Sequence, residues 1–292
     1  MQEECRLSII TINYNGLADT CALIDSITFT DDTEVIVVDN ASRTDEASVI
    51  EQRYPKVKVI RSEKNLGFAG GNNLGIKSAR GRYLLLINND TVLKDDWNID
   101  SLIRRFDTSA RIGMVCPKIR FAWGDCPIQY AGYTSLSRIT MRNQSIGFNE
   151  PDQGQHDFSH PTPYAHGAAM LTKREVVEHV GLMPECYFLY YEELDWSMKF
   201  RQAGYFIWYD SSSTIYHKES QTTGKNSPVK AYYITRNRLL YVHRNNQSSI
   251  KYLSYAYLIG IVATRDIVRD LLKGRLDLVK ATIRGIVHFL KL

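Results

Sequence analysis

The 292-residue sequence has no apolar run long enough to span a bilayer. The longest, Tyr252 to Thr264 (YLSYAYLIGIVAT), falls short of the roughly 20 residues a membrane-crossing helix needs, so it is expected to touch a membrane rather than cross one. Cysteine is sparse. Cys5, Cys21, Cys116, Cys126 and Cys186 are odd in number and lack CxxC spacing, which argues against a disulfide framework or a zinc cluster and for a reducing compartment. The start, Met1 to Arg6, runs straight into a strand-like segment with no charged stretch leading an apolar one, so a cytoplasmic location is expected. Walker and GxGxxG phosphate loops are also missing. There is no internal repeat and no low-complexity segment.

What is present suits a packed core: 44% apolar and 11% aromatic residues exclude a disordered chain. The formal charge of +4 is unevenly placed. Lys225 to Leu292 holds 13 Lys/Arg and 3 Asp/Glu, or 13 − 3 = +10, which leaves 23 − 29 = −6 for residues 1–224. An acidic body with a basic end points to an anionic surface as partner, either membrane or nucleic acid.

The first ninety residues alternate two patterns. Leu7 to Ile12, Glu34 to Val38, Val57 to Ile60 and Tyr83 to Ile87 read as strands apolar on both faces; Leu17 to Thr28, Asp45 to Tyr54 and Gly70 to Ala79 read as helices. Such alternation predicts a doubly wound α/β architecture with a parallel sheet covered on both sides. Ligands bind beyond the carboxyl ends of such strands. The residues there are polar at every strand: Asn13-Tyr14-Asn15-Gly16, Asp39-Asn40-Ala41-Ser42, Asn65-Leu66-Gly67-Phe68 and Asn88-Asn89-Asp90-Thr91. Any one set could be a plain turn; four in succession form a candidate site. Residues 111–216 carry Pro117, Pro127, Pro151, Pro161 and Pro163 and suit an acceptor-binding region of strands and long loops, and from Pro228 the pattern is helical.

Within these loops, Asp39 is placed to accept an N–H such as the N3–H of uracil or thymine, while Ser42 or Asp45 caps the following helix. Asp90, backed by Asn88, can hold one hard divalent cation through oxygen and leave positions open for a diphosphate; the plain alternative is a turn before a helix starting near Asp95. The glycines of Gly67-Phe68-Ala69-Gly70-Gly71 would let the backbone approach a nucleotide. Tyr190-Tyr191-Glu192-Glu193-Leu194-Asp195-Trp196 concentrates three carboxylates among aromatics, either as helix-start acids or as a general base. Glu192 and Asp195 share a helix face and Glu193 points elsewhere. His217 is a packing residue unless Asp90 needs a second ligand.

These pieces, with Thr11 to Asn15, Val37 to Ser42, Asn65 to Asn73, Leu85 to Thr91, His166 to Leu171, Tyr191 to Trp196 with Arg201 to Tyr205, and His217, resemble glycosyltransferase family 2 over residues 5–245, most of all its bacterial rhamnosyltransferase-like members. The resemblance implies a GT-A fold, a nucleotide-sugar donor, a divalent metal (Mn²⁺ or Mg²⁺) and inversion at the anomeric carbon. It implies that Asp39 reads the pyrimidine; that Asn13, Asn65, Gly67 and Asn72 line the nucleotide pocket, joined there by the strand-end residues Asn15, Asn40, Asn89 and Asp90; that Asp90, His217 and Asn88 face the metal; and that Glu193 is the base, with Glu192 and Asp195 as rivals. Two positions depart from the family pattern: Asn88 stands where the DxD motif has its first Asp, and Glu193 where the family usually has Asp.

The expected organisation is a GT-A domain over residues 1–225, with a nucleotide-sugar half (1–110) and an acceptor half (111–225), followed by a basic amphipathic helical region (226–292). The expected activity is transfer of a sugar, rhamnose among the candidates, from a dTDP- or UDP-linked donor to a saccharide or lipid-linked acceptor for cell-surface polysaccharide. A sugar nucleotidyltransferase is the rival enzyme, but Asn13 to Gly16 lacks the basic residues of a triphosphate loop; a non-catalytic saccharide-binding protein is the third reading. In Leu276 to Leu292 an apolar stripe (Val279, Ile283, Ile286, Val287, Leu290) lies beside a basic one (Lys280, Arg284, His288, Lys291), preceded by Arg265, Arg269 and Lys273. No nucleic-acid motif is present, so the expected anionic partner is the inner face of the cell membrane. The sequence leaves the oligomeric state open.

Overall fold

The computed structural model describes residues 5–219 and 227–292. The chain folds into two compact units. One takes in the described residues up to Thr134, Gln144–Phe188 and Glu192–Glu219; the other takes in Ser135–Asn143, Leu189–Tyr191 and the residues from Ser227 onward. The boundary expected at 225/226 lies outside the described residues.

The first unit is a ten-stranded sheet in the order β3-β2-β1-β4-β9-β6-β10-β5, with β7 beside β6 and β8 beside β10. Strands β1 (Leu7–Asn13), β2 (Thr33–Asp39), β3 (Val57–Arg61) and β4 (Tyr83–Ile87) alternate with helices α1 (Leu17–Asp25), α2 (Glu46–Arg53) and α3 (Gly67–Ser78). Their pairings are parallel. Ile9, Ile10, Val35 to Val38 and Leu84 to Ile87 are buried, as continuous apolar runs in a sheet covered on both faces must be. After β4 come the short β5 (Thr91–Val92), α4 (Ile99–Arg105), β6 (Ile112–Phe121), β7 (Ile128–Tyr130), β8 (His160–Thr162), β9 (Ala169–Lys173), α5 (Arg174–Val180), α6 (Glu192–Gln202) and β10 (Phe206–His217).

Several local expectations are corrected by hydrogen bonds the sequence hides. Asp45 alone caps α2, accepting from Ser48 N at 3.1 Å, whereas Ser42 turns its hydroxyl to Asp39. Helix α3 begins three residues before the expected Gly70, and Gly71 and Gly75 face Ile12 and Ile10 of β1 rather than a ligand. The helix expected near Asp95 starts at Ile99 because Asn98 caps it through Ser101 N at 3.0 Å.

Strand direction gathers the site. Strand β9 is antiparallel to both β4 and β6, and β10 is parallel to β6, so β6 and β10 end on the same sheet edge as β1, β2 and β4. The start of β9 lies on that edge too, with Ala169 opposite Ile87. A register shift between Asp210 and Thr214 divides β10 and re-aims its last residues toward the edge. Asp210, fully buried, anchors this bulge by accepting from Arg105 Nε (2.6 Å), Ser159 Oγ (3.1 Å) and Ser212 N and Oγ (3.0 and 2.7 Å).

Burial alone would raise the Asp210 carboxyl, but the bonds from Arg105 and Ser212 outweigh it and hold the group below its usual value. Because the folded value lies below the unfolded one, the stabilisation is complete above the unfolded value and disappears as pH falls through the folded one. Asp210→Asn is therefore expected to cost about 3 kcal/mol at neutral pH. In urea unfolding, the gap between variant and wild type should close toward pH 3; a gap independent of pH would contradict the ionic role.

The second unit is helical: α7 (Pro228–Asn245), α8 (Ser248–Tyr257), a π-helical turn (Leu258–Ala263), α9 (Thr264–Leu272) and α10 (Leu276–Leu290). Ser227 caps α7 through Lys230 N at 3.2 Å, with Pro228 in the first turn. Helix α10 crosses α7 at Gly285, where a Cβ would sit 2.8 Å from the Tyr232 carbonyl. The expected apolar stripe is thereby divided: Val279 is buried with Leu278, Ala281, Thr282 and Phe289, while Ile283, Val287 and Leu290 are exposed. The basic stripe divides likewise. His288 bonds the Tyr232 hydroxyl at 2.7 Å, and Arg265 and Arg269 pair with Asp266 and Asp270. Among the described residues no helix is long and apolar enough to cross a membrane.

Candidate functional site

The edge carries a network of buried amides and carboxylates. Asn13, fully buried at the end of β1 and opposite Asp39 in register, donates from Nδ2 to Asp39 Oδ1 (2.9 Å), Ser42 Oγ (3.2 Å) and Glu46 Oε2 (2.7 Å) and accepts from Thr20 Oγ1 (2.7 Å). Its polar atoms are thus committed to fixing Asp39. That carboxylate also accepts from Ser42 Oγ at 2.6 Å on Oδ1, while Oδ2 receives only the long 3.3 Å bond from Ser42 N. Oδ2 retains acceptor capacity for a ligand N–H. Asn15 is exposed at φ 51°, and its Oδ1 accepts from Arg43 N at 2.8 Å.

Asn40 builds the neighbouring loop. It donates to Asn65 Oδ1 and Gly67 O, both at 3.1 Å, and accepts from Leu66 N at 2.9 Å; Asn65 Oδ1 also accepts from Gly67 N at 2.8 Å. Gly67 has φ +71° and a would-be Cβ that runs into the Phe188 carbonyl, so no side chain fits there without moving backbone. The same carbonyl accepts from Phe68 N at 2.7 Å, tying the loop to the segment that leads toward α6. Asn72 is buried and donates to Phe68 O at 3.0 Å; Asn89 donates to Thr20 Oγ1 at 3.0 Å. Asn13, Asn40 and Asn89 therefore support the loops, and Asp39 and Asn65 keep more capacity toward a ligand.

Asn88, Asp90 and His217 meet although His217 follows Asp90 by more than half the fold. His217 Nε2 lies 3.1 Å from Asp90 Oδ1 and 3.4 Å from Asn88 Nδ2, while Nδ1 lies 2.8 Å from Gln129 Oε1. The side-chain carbonyl of Gln129 accepts from Nδ1–H, which turns Nε2 toward the Asp90 oxygen. Their separation matches the ~3.0 Å expected for adjacent ligands of a six-coordinate divalent ion bound at ~2.1 Å. The Asp90 carboxylate and the His217 imidazole thus fit two positions of a divalent ion, while Asn88 turns its Nδ2, a donor, toward the ring. Among the described residues no cluster of three or more His, Cys, Asp or Glu is suited to a metal.

The three carboxylates open α6 as expected, but their settings differ. Glu192 and Asp195 are buried, and Glu193 is half-buried with its Cγ 3.9 Å from the Cβ position of Gly167. Ser197 Oγ donates to the Glu193 carbonyl at 2.6 Å and accepts from Ala165 N at 3.1 Å, which joins α6 to the β9 approach. The Tyr133 hydroxyl is pushed up by burial and by the negative charge of Glu193.

Two residues here had no assigned role in the sequence. Gln129 comes from a short strand 88 positions away from His217, and nothing in its neighbours marks it. His166 was visible only as part of a motif. Its ring packs edge-on against His217 with centroids 6.2 Å apart and lies parallel to Tyr133. Burial, with the nearby His217, pushes its pKa down to about 3, so the ring is neutral. Nδ1 accepts from Ala168 N at 3.1 Å, leaving Nε2–H as a donor at the edge.

The model of the family described as "Glycosyl transferase family 2" matches residues 8–181. A Haloferax volcanii protein named low-salt glycan biosynthesis hexosyltransferase Agl10 is 27% identical over 97% of the chain and 90% of its own length. A Mycobacterium tuberculosis protein named N-acetylglucosaminyl-diphospho-decaprenol L-rhamnosyltransferase is 24% identical over 65% of the chain and 68% of its own. Among solved structures, GalNAc-T7 with UDP, GalNAc and Mn²⁺ superposes with a TM-score of 0.62 at 15% identity, covering 90% of the chain and 57% of that protein. At this identity the likeness concerns the fold, which is GT-A.

Proposed function

Because the chain belongs to glycosyl transferase family 2, we propose that it transfers a sugar with inversion from a dTDP- or UDP-linked donor to a saccharide or lipid-linked acceptor. The observation that carries this reading is the convergence of Asp39, Asp90, His217 and Glu193 around one sheet edge. Asp39 Oδ2 accepts the N3–H of the pyrimidine, with Asn65 and the Gly67 backbone beside it. Residues 1–110 serve the donor, 111–225 the acceptor, and 226–292 location at the inner face of a cell membrane. The lipid-linked acceptor is supported by the name of the mycobacterial relative, and rhamnose by the same name.

Glu193 takes the proton of an acceptor hydroxyl as that oxygen attacks the anomeric carbon. The bond from this carbon to the diphosphate oxygen breaks on the opposite face, and its electron pair leaves with the diphosphate. Asp90 and His217, with Asn88, would hold Mn²⁺ or Mg²⁺, which when bound would supply positive charge against the charge growing on the leaving group. His166 donates from Nε2 to an oxygen of the bound donor. A nucleotidyltransferase or a non-catalytic saccharide binder has no use for this set of base, ion and pyrimidine positions together.

Calorimetry with nucleoside diphosphates tests the pyrimidine reading. UDP or dTDP should bind in Mn²⁺ and CDP should not, because cytosine N3 has no hydrogen; equal binding of CDP would remove Asp39 from this role. A second expectation concerns Gln129. Gln129→Ala leaves the His217 ring unoriented and should weaken Mn²⁺-supported UDP or dTDP binding about 10–100-fold, as loss of an outer partner of a metal-binding His does. Unchanged affinity in that titration would assign Gln129 to packing alone.

A further inference from the structure

Among the described residues, eleven of the seventeen large apolar side chains left exposed lie after position 251. They are ordered. In α9, Arg265, Val268 and Leu272 follow one another at steps of three and four; in α10, Lys280, Ile283 and Val287 repeat the same spacing. Each trio has a further exposed apolar residue four positions ahead of its basic member, Ile261 and Leu276. At ~100° per residue, Arg265, Val268 and Leu272 fall on one helix face, as do Leu276, Lys280, Ile283 and Val287. The opposite face of α10 is the one packed on α7.

The turn joining α9 and α10 is the most exposed apolar point of the unit: Leu272 is 84% and Leu276 57% exposed, flanking Lys273. Asp266, Asp270 and Asp277 neutralise Arg265, Arg269 and Arg275. Lys273, Lys280, Arg284 and Lys291 have no carboxylate partner among the described residues, and Arg284 lies over the Tyr232 ring at 5.9 Å. An exposed apolar line edged by uncompensated cations complements a bilayer surface, with acyl chains for the leucines and anionic headgroups for the lysines.

We propose that α9, the Lys273–Arg275 turn and α10 form a docking surface for an anionic lipid bilayer, with Leu272 and Leu276 entering the headgroup boundary and Lys273, Lys280, Arg284 and Lys291 contacting lipid phosphate. The inference deepens the proposed membrane location and depends on the lipid-linked acceptor only for its purpose, since vesicle binding needs no donor. The test is sedimentation of the full-length protein with vesicles of phosphatidylcholine alone or mixed with phosphatidylglycerol, at low and high salt. Wild type should bind the mixed vesicles, and less so as salt rises.

The triple variant Lys280→Glu/Arg284→Glu/Lys291→Glu should lose on the order of 10²-fold or more in partitioning. A second variant, Leu272→Glu/Leu276→Glu, should lose binding by removing the apolar contact instead. Donor binding measured by calorimetry should stay at the wild-type level in both, which separates this surface from the transferase site. Equal partitioning of wild type and both variants would overturn the proposal. So would a wild type that ignores vesicles and elutes as a dimer that Leu272→Glu/Leu276→Glu dissociates, because the face would then belong to a second copy.

Discussion

Glu193→Gln should lower kcat by ~10²–10⁴-fold while donor affinity stays at the wild-type level. The substitution keeps shape and removes only the capacity to take a proton, so the loss falls on the step in which the acceptor oxygen attacks. That range corresponds to about 3–5 kcal/mol of barrier. Glu193 differs from its neighbours in position: Glu192 and Asp195 are buried at 3% and 2% exposure, whereas Glu193 stands half-buried next to Gly167, just before β9. Near-normal turnover in Glu193→Gln, with a collapse in Glu192→Gln or Asp195→Asn, would move the role to that residue.

The second large effect is expected at Asp90. Asp90→Asn keeps the side-chain volume but leaves His217 and two amides at the proposed ion position with no carboxylate among them. Affinity for UDP or dTDP should then fall on the order of 10²-fold or more when Mn²⁺ is present, since loss of even an outer partner costs about 10–100-fold. Without the ion, variant and wild type should bind alike. Calorimetry with Mn²⁺ and with a chelator makes the comparison. A variant whose Mn²⁺-supported affinity matches wild type would take Asp90 out of the ion site and leave its contact with His217 as a packing feature.

The four parallel strands were legible because Val35 to Val38 and Leu84 to Ile87 are apolar without interruption, a pattern that only a doubly covered sheet satisfies. The rule that ligands bind beyond the strand ends then brings Asp39 and Asp90 to one edge, as the register shows. The pairing of His217 with Gln129 was not legible, because it depends on a three-residue strand and on the bulge at Asp210 that re-aims β10. Asn13 and Asn40 illustrate a related limit: residue type marks them as polar and local, but only the three-dimensional network shows that their bonds are used to hold Asp39 and the Gly67 loop. In α10 the period was readable and the buried side was not. Gly285 decides it by allowing α7 to approach, which turns Val279 inward and leaves Ile283 and Val287 outside.

The proposed sugar transfer from a pyrimidine nucleoside diphosphate by the residues of this edge can be tested directly. The assay is release of nucleoside diphosphate by the purified protein from a panel of dTDP-, UDP-, GDP- and CDP-linked sugars, with Mn²⁺, with Mg²⁺ and with chelator, in wild type and Glu193→Gln. Ion-dependent release from a dTDP- or UDP-linked sugar is expected, strongly reduced in the variant. Release confined to GDP- or CDP-linked sugars, or no release from any donor in the presence of either ion, would contradict the assignment.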